Sequence, residues 1–460
     1  MTIHARILKT RKFYLPPPPA ATLVPTPSPL LLPASCDLLT IGAGAAGLFA
    51  SVHAGRTATE RGGGLSILAV DTARKLGAKI LVAGGGRCNV THFEVAASDY
   101  AGSTPAAIRK VLKRYGVERV IAFFAAAGVE LKREDTGKLF PVSDSARTVL
   151  AALLRESEAA GVSIVHPARV TAIEPRADGA RGFRVETEAG TVTAQRLLLA
   201  TGGRSLPKSG SDGSGLALAA SLGHTLTTPI LPALVPLVLA DGHFIRGLSG
   251  LTLPTRLTLT SATGKRLVST EGSTLCTHQG LSGPAVLDIS RHYLMAQHAD
   301  SAVQLLINWV PDLAAEKLDA ELRDARGRGS LAVLRTHLPD RLARVLCEQA
   351  ACPQAGDIPK DARRRLLGMT TAMPLPVVGD RGFSIAEATA GGVPLSEVRL
   401  ETMESRVCPG LHLAGEVLDV DGRIGGFNFQ WAWASGFVAG TSAVAALLEE
   451  PSPAAATRPA

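Results

Sequence analysis

Beyond residue 36 the chain alternates short, unbroken apolar runs with clusters of small residues. Leu38 to Ile41 is such a run; it stops at Gly42-Ala43-Gly44-Ala45-Ala46-Gly47 and resumes as Leu48-Phe49-Ala50-Ser51-Val52. A short apolar run bounded by turn residues predicts a buried strand, and the longer stretch after the glycines predicts a helix. Ser66 to Val70 predicts a second buried strand, ending on Asp71. Ile164 to Val170, Phe183 to Glu188 and Thr191 to Leu199, broken by Asp178-Gly179 and Ala189-Gly190, predict a meander leading into a further buried strand, which closes on Ala200-Thr201-Gly202-Gly203. From about Thr225 to Pro311 the runs Leu234 to Leu239, Leu253 to Thr260, Arg266 to Ser269 and Val303 to Val310 predict a separate β domain. Between Asp312 and Leu367 the apolar positions Leu318, Leu322, Leu331, Leu334, Leu342 and Leu346 sit among charges and predict helices. After Thr370 glycine-rich, strand-like segments return. The expected organisation is a proline-rich leader over 1–36, a discontinuous α/β domain over 37–224 and 371–450, an inserted β domain over 225–311 and a small helical domain over 312–370.

A length of 460 residues is too great for one compact core and leaves room to bury a large ligand. No uninterrupted apolar stretch reaches about 18 residues, which argues against a membrane partner. The formal net charge is +8, yet Arg6, Lys9, Arg11 and Lys12 lie within residues 1–36, which hold no Asp or Glu. Little positive excess is left for a polyanion. One cluster, Arg109, Lys110, Lys113, Arg114 and Arg119, reads first as a solvated face and second as a docking patch. Pro16 to Pro19, Pro25, Pro27, Pro29 and Pro33 predict an extended, disordered leader without the continuous apolar core of a signal peptide. Cys36, Cys88, Cys276, Cys347, Cys352 and Cys408 form no CxxC, and no histidine pair has zinc spacing. Neither a metal site nor a disulfide framework is expected, and a reducing cytoplasm fits best.

Gly42 to Gly47 have the GxGxxG spacing in the context the motif requires, after a strand and opening a helix. Gly42 permits the tight turn, Gly44 lets a pyrophosphate approach the backbone, Gly47 lets helix and strand pack closely, and the helix N-terminus faces the phosphates. In a chain with 47 glycines this pattern alone is weak. Asp71 strengthens it, standing where such folds place an acid on an adenosine ribose. The turn Ala200 to Gly203 lets the chain pass close to a bound nucleotide. Gly210-Ser211-Asp212-Gly213-Ser214-Gly215 has the wrong spacing for a second fingerprint, so no separate nicotinamide domain is expected.

Further motifs follow in order. They are Gly84-Gly85-Gly86-Arg87-Cys88-Asn89-Val90-Thr91; Thr277-His278-Gln279-Gly280-Leu281-Ser282-Gly283-Pro284; Ala390-Gly391-Gly392-Val393 with Thr402-Met403-Glu404-Ser405; and Gly415-Glu416-Val417-Leu418-Asp419 through Gly425-Gly426-Phe427-Asn428-Phe429-Gln430-Trp431-Ala432. With Gly42 to Gly47, they make the chain resemble the BaiN/RdsA family of flavoproteins from about Asp37 to Leu448. The resemblance implies an α/β fold: a Rossmann-like, glutathione-reductase-like FAD-binding domain with an inserted β-barrel-like domain and a small helical domain. It also implies an FAD-dependent oxidoreductase with NAD(P)H as transient reductant.

On this resemblance FAD is held by Gly42, Gly44, Ala45, Ala46 and Gly47, by Asp71 and Lys79, by Gly86, Arg87, Cys88 and Asn89, and by Val170. Ala200, Thr201, Gly202 and Gly203 complete one side; Gly415, Glu416, Gly425, Gly426, Phe427 and Asn428 complete the other. Leu411 to Glu416 resembles the strand whose terminal acid hydrogen-bonds the flavin ribityl chain, which makes Glu416 the candidate. Gly425 to Asn428 opens the last helix, whose N–H groups and dipole can stabilise a reduced, anionic ring. Gly84 to Asn89 takes the place where disulfide reductases of similar fold carry a redox cysteine pair. Cys88 lacks a partner there, with Phe93 five residues on, so it reads as a small buried residue before a catalytic thiol.

His278, in a Gly- and Ser-rich turn, is the candidate acid that protonates a substrate after hydride arrives, against a simple loop-fixing role. Arg423-Ile424 and Arg406 depart from the family pattern. Branches of the family imply reduction of a conjugated C=C bond in steroid-like enones, dihydrouridine formation in 23S ribosomal RNA, or oxidation of an aminoacetone-type amine. The first is the leading expectation, with a small molecule or rRNA as the substrate partner. A flavin-binding scaffold is the non-enzymatic rival.

Overall fold

The computed structural model describes residues 32–449 apart from 177–180, 326 and 354–355. The leader through residue 31 and the turn Asp178-Gly179 lie outside the described residues. The buried apolar runs build a Rossmann-like sheet. Its parallel centre runs Leu411–Leu413, Gly190–Leu199, Ser35–Ile41, Ile67–Val70 and Val162–Val165 in spatial order. Leu38 to Ile41 are flanked by Arg196 to Leu199 on one side and Ile67 to Val70 on the other. Continuous apolar runs rather than alternation are what a parallel sheet covered on both faces demands.

The stretch Ile164 to Val170 was expected as one strand and is two. Val162–Val165 ends the parallel sheet, and Val170–Pro175 starts an antiparallel ribbon with Phe183–Thr187. Pro167 lies between them, offering no N–H to a ladder and fixing its own φ.

The first helix, Ala45–Glu60, packs along the last, Phe427–Glu449. Small residues make this contact close: a Cβ on Gly436 would stand 2.7 Å from Ala46 O, and one on Gly440 would stand 2.1 Å from Ala50 O. Beside this seam Phe49 meets Trp433 at 5.1 Å and Phe123 at 4.6 Å between ring centroids. Removing the fully buried Phe49 side chain would cost about 3–5 kcal/mol. With a mean hydropathy of 1.4, Phe427–Glu449 is long and apolar enough to cross a membrane by length and composition. Two-thirds of it is buried inside the fold, so its apolarity is that of a core helix.

The second sheet is antiparallel, with seven strands in the order Met373–Pro374, Gln304–Asn308, Thr252–Thr260, Arg266–Thr277, Gly280–Ser282, Leu237–Leu239 and Val377–Asp380. Its two end strands, Met373–Pro374 and Val377–Asp380, are separated by only Leu375 and Pro376, which brings the ends of the sheet together, although no ladder pairing among the described residues joins them. Two of its strands lie beyond residue 371, where the chain was expected to have rejoined the first domain. It rejoins later: Ala388–Gly392 pairs with Thr227–Ala233, and Leu411–Leu413 then joins the first sheet beside Gly190–Leu199. The pattern also missed the helix Pro284–Ala299, which Pro284 opens at a position where a missing N–H is harmless. The helices Ala315–Arg323, Gly329–Leu334, Asp340–Gln349 and Lys360–Thr371 bury Leu318, Leu334, Leu342, Leu346 and Leu366 in one core with Leu257 and Ile307 of the sheet and Trp309 just after it.

Candidate functional site

A cleft of about 650 Å³ opens at the carboxyl ends of the parallel strands, lined by Ile41-Gly42, Val70-Asp71, Ala200 to Gly202 and Gly415-Glu416. This is where open α/β sheets bind ligands. Gly42 has φ +99°, and a Cβ there would stand 2.5 Å from Ala200 O. A Cβ on Gly47 would sit 1.8 Å from Gly42 O, so this glycine serves the packing of helix on strand and does not line the cleft. Gly44 is different: a Cβ there meets nothing within 4 Å. The side of Gly44 facing the cleft is therefore open, as a pyrophosphate lying against the backbone needs. Asp71 fixes this turn from below, its Oδ2 accepting from Ala43 N at 2.7 Å and its Oδ1 from Ala73 N at 2.7 Å. A carboxylate has about four acceptor positions, so it can still receive a ribose hydroxyl. Ser211, on the same end of the cleft, has a buried Oγ without a partner among the described residues.

Midway, Lys79 on the short helix Ala78–Val82 forms an ion pair with Glu416, which follows the strand Leu411–Leu413. Ser205 completes the group: Lys79 Nζ donates to Ser205 Oγ at 2.6 Å, and that hydroxyl lies 2.9 Å from Glu416 Oε1. Gly203 stands behind it, where a Cβ would reach within 2.5 Å of Thr389 Oγ1 and 2.9 Å of Glu416 Oε1. It supports the site without lining it.

The loop Gly84 to Gly86 runs through left-handed backbone, with φ of +57°, +68° and +87°. Gly84 and Gly85 line the cleft; Gly86 does not. Arg87 does, lying 4.0 Å over the Phe140 ring and donating to Glu134 Oε1 at 2.6 Å. Cys88 is fully buried behind the loop, outside the cleft, and burial pushes its thiol up to about 12. Asn89 lines the cleft and is 7% exposed, with its Oδ1 unpartnered among the described residues.

Gly425, Gly426 and Asn428 line the far end at the start of the last helix. The Asn428 amide, however, clamps Gly422, accepting from its N–H at 2.8 Å and donating to its carbonyl at 3.0 Å. Phe427 turns away into the core, stacked on His92 at 4.8 Å. His278 is not brought to the cleft: it is exposed at a turn of the second sheet, its carbonyl accepting from Arg246 Nε at 3.0 Å, and it is not among the residues that line the cleft. A hairpin tip points its side chain to solvent unless another element covers it.

Sequence reasoning missed Lys138, Phe140, Leu234, Ile385 and Glu387, which wall the far end beside Arg423 and Ile424. Glu387 lies three residues before Ala390-Gly391-Gly392, the only signal that marked its neighbourhood. Val170, Ala45 and Ala46 line the cleft as expected. The basic residues Arg109, Lys110, Lys113, Arg114 and Arg119 are all exposed, with Lys110 paired to Glu401 and Arg119 lying 4.6 Å over both Tyr115 and Phe437.

Strand-end position, a glycine turn open toward the cleft and an acid closing the second strand define a Rossmann-type dinucleotide site. More narrowly, the chain belongs to the family described as HI0933-like protein Rossmann domain, whose model matches residues 36–442, and the BaiN/RdsA resemblance of its motifs is borne out. It is 33% identical over 411 residues to the 3-dehydro-bile acid delta(4,6)-reductase of Clostridium scindens, covering 88% of this chain and 98% of that one. To the ribosomal RNA dihydrouridine synthase of Escherichia coli it is 34% identical over 415 residues, covering 89% and 98%. The Haemophilus influenzae protein of the same description is 31% identical over 415 residues, covering 88% and 97%.

Proposed function

We propose that this chain is an FAD-dependent oxidoreductase that reduces an activated C=C bond of a small, largely apolar molecule, with NAD(P)H as its transient reductant. The cofactor, when bound, supplies the two-electron hydride chemistry. Gly42 to Ala46 would carry its pyrophosphate, Asp71 its ribose, Glu416 with Lys79 its ribityl chain, and Gly425-Gly426 its pyrimidine end. The observation that carries the reading is the composition of the far end of the cleft. There Phe140, Leu234, Ile385 and Ile424 line the cleft together with Gly425, Lys138 and Arg423. Arg423 is braced by Asp99, Nε to Oδ1 at 3.3 Å. Apolar walls suit a hydrocarbon skeleton. The two cations can hold the negative charge that develops on a conjugated carbonyl oxygen when hydride adds to the far carbon. The name of the Clostridium scindens relative supports the same reaction class.

Anaerobic titration of the yellow protein tests this. NADH or NADPH should bleach the flavin, and a hydrophobic enone should restore the colour; no reoxidation across a broad enone panel would reject the reading.

A second reading, dihydrouridine synthesis in ribosomal RNA, is supported by the names of two relatives and by one placement. The strand Tyr100–Gly102 pairs with Val420–Gly422, next to Arg423, and the basic helix Pro105–Leu112 follows directly. The helix and the residues after it carry the exposed basic residues Arg109, Lys110, Lys113 and Arg114. This reading requires a deletion strain to lose a dihydrouridine, and salt-sensitive RNA binding that weakens when Arg109 and Lys113 are removed.

A further inference from the structure

The cleft's lining includes the carboxyl residues Asp71, Glu387 and Glu416, and no histidine, tyrosine or cysteine among the described residues. Two of these acids are committed. Asp71 accepts two backbone N–H groups, and Glu416 is paired with Lys79 and Ser205. Glu387 lines the far end beside Ile385 and Leu234, and among the described residues its carboxyl has no hydrogen-bond or ion-pair partner. Its backbone, by contrast, is fixed. Glu387 N donates to Leu234 O at 3.3 Å, Ala388 pairs with Ala233, and Glu387 O lies 3.3 Å from Ser205 Oγ, the hydroxyl that also meets Glu416. A free carboxyl on a rigid support, at the same end as Lys138 and Arg423, is what general acid catalysis asks for.

We propose that Glu387 is the proton donor of this cleft, acting on a substrate whose C=C bond is conjugated to a carbonyl. The assignment rests on the reductase reading above. The bond count closes as follows. The far carbon of the double bond gains a hydride, whose two electrons come from the reduced flavin. The π pair, carried through the enolate held by Lys138 and Arg423, takes the Glu387 proton at the carbon next to the carbonyl. Glu387 is left as a carboxylate and regains its proton from solvent.

The surroundings shift the Glu387 carboxyl toward its acid form. The Glu387 side chain is exposed to the open cleft; the protein packed around it raises its carboxyl above its ordinary value, Lys138 and Lys79 oppose the rise, and Asp288 adds to it. Asp288, on the helix Pro284–Ala299, is itself raised to about 6 by burial.

The test uses the holoenzyme, reduced anaerobically and mixed with 2-cyclohexenone in single turnover. Glu387→Gln should slow flavin reoxidation by about a hundredfold or more and flatten its pH profile, while Glu387→Asp restores part of the rate. Flavin content and bleaching by NAD(P)H should stay within about twofold of wild type, because neither uses this proton. Independently of turnover, infrared titration of 13C-glutamate-labelled protein should show one carboxyl band titrating above the others, absent in Glu387→Gln and moved to higher pH in Lys138→Met. A Glu387→Gln enzyme reoxidised at the wild-type rate with the wild-type pH profile overturns the assignment, as does an unchanged set of carboxyl bands. A wild type that no C=C acceptor reoxidises overturns instead the reductase reading beneath it.

Discussion

Ser205 Oγ lies 2.9 Å from Glu416 Oε1, joining the loop after the strand Gly190–Leu199 to the turn after the strand Leu411–Leu413. Lys79, from the segment after the second strand, closes the group. Three crossovers of the sheet therefore meet at one set of polar contacts, and Glu416 cannot shift without disturbing all of them.

Breaking this group should cost stability as well as cofactor. Lys79→Met leaves the Glu416 side chain, 14% exposed, without its counter-charge, and a loss of about 2–3 kcal/mol is expected in denaturant melts of the apoprotein. Ser205→Ala removes only a neutral partner and should cost about 1 kcal/mol. Equal effects for the two variants would contradict this picture.

The glycines of the first turn should separate folding from binding. Gly44→Val projects into open space, so the apoprotein should melt as wild type does while losing its yellow colour. Gly47→Ala places a carbon against Gly42 O and should destabilise the whole domain. Retained colour in Gly44→Val would refute the dinucleotide assignment.

Neither Cys88 nor His278 should matter to turnover. Cys88 is buried with its thiol raised to about 12, so native protein should leave it unreacted toward iodoacetamide at neutral pH. Cys88→Ala and His278→Ala should each keep kcat/KM within about threefold of wild type, measured with whichever acceptor reoxidises the flavin.

Stability should fall with rising pH in the mildly acidic range on account of Asp288. Burial raises this carboxyl from an ordinary 3.8 to about 6, although Ile424 N–H, Arg423 and Lys138 oppose the shift. The folded chain thus keeps a proton that the unfolded chain has released. The resulting stability is complete below about pH 4 and is lost as pH rises through about 6. Asp288→Asn keeps the hydrogen bond from Ile424 N while removing the titration. Relative to wild type it should gain up to about 3 kcal/mol between pH 4 and pH 7. A difference that stays flat across that interval would count against it.

What was legible in the sequence was whatever one short segment decides by itself. Leu38 to Gly47 carries its strand, turn and helix in ten residues, and the structure holds them in that order. The far end of the cleft was not legible because no segment owns it. Lys138 arrives on a short antiparallel strand, Glu387 from the edge of the inserted part and Arg423 from the loop before the last helix. Their meeting depends on packing across hundreds of residues. The position of His278 away from the cleft was hidden for a related reason: nothing local in a glycine-rich turn says whether another element will cover it. The order of strands in the second sheet, too, was decided by pairing between distant strands, which periodicity does not encode.

The seam between Ala45–Glu60 and Phe427–Glu449 sets an order of events during synthesis. The glycine turn emerges from the ribosome early, but the helix that backs it and the strand Leu411–Leu413 beside Gly190–Leu199 are made hundreds of residues later. At about 5–20 residues per second the first helix waits tens of seconds with its alanine face uncovered. The nucleotide pocket can therefore close only after nearly the whole chain has been made, so cofactor loading belongs after translation. A nascent chain stalled before Phe427 would need shielding rather than flavin.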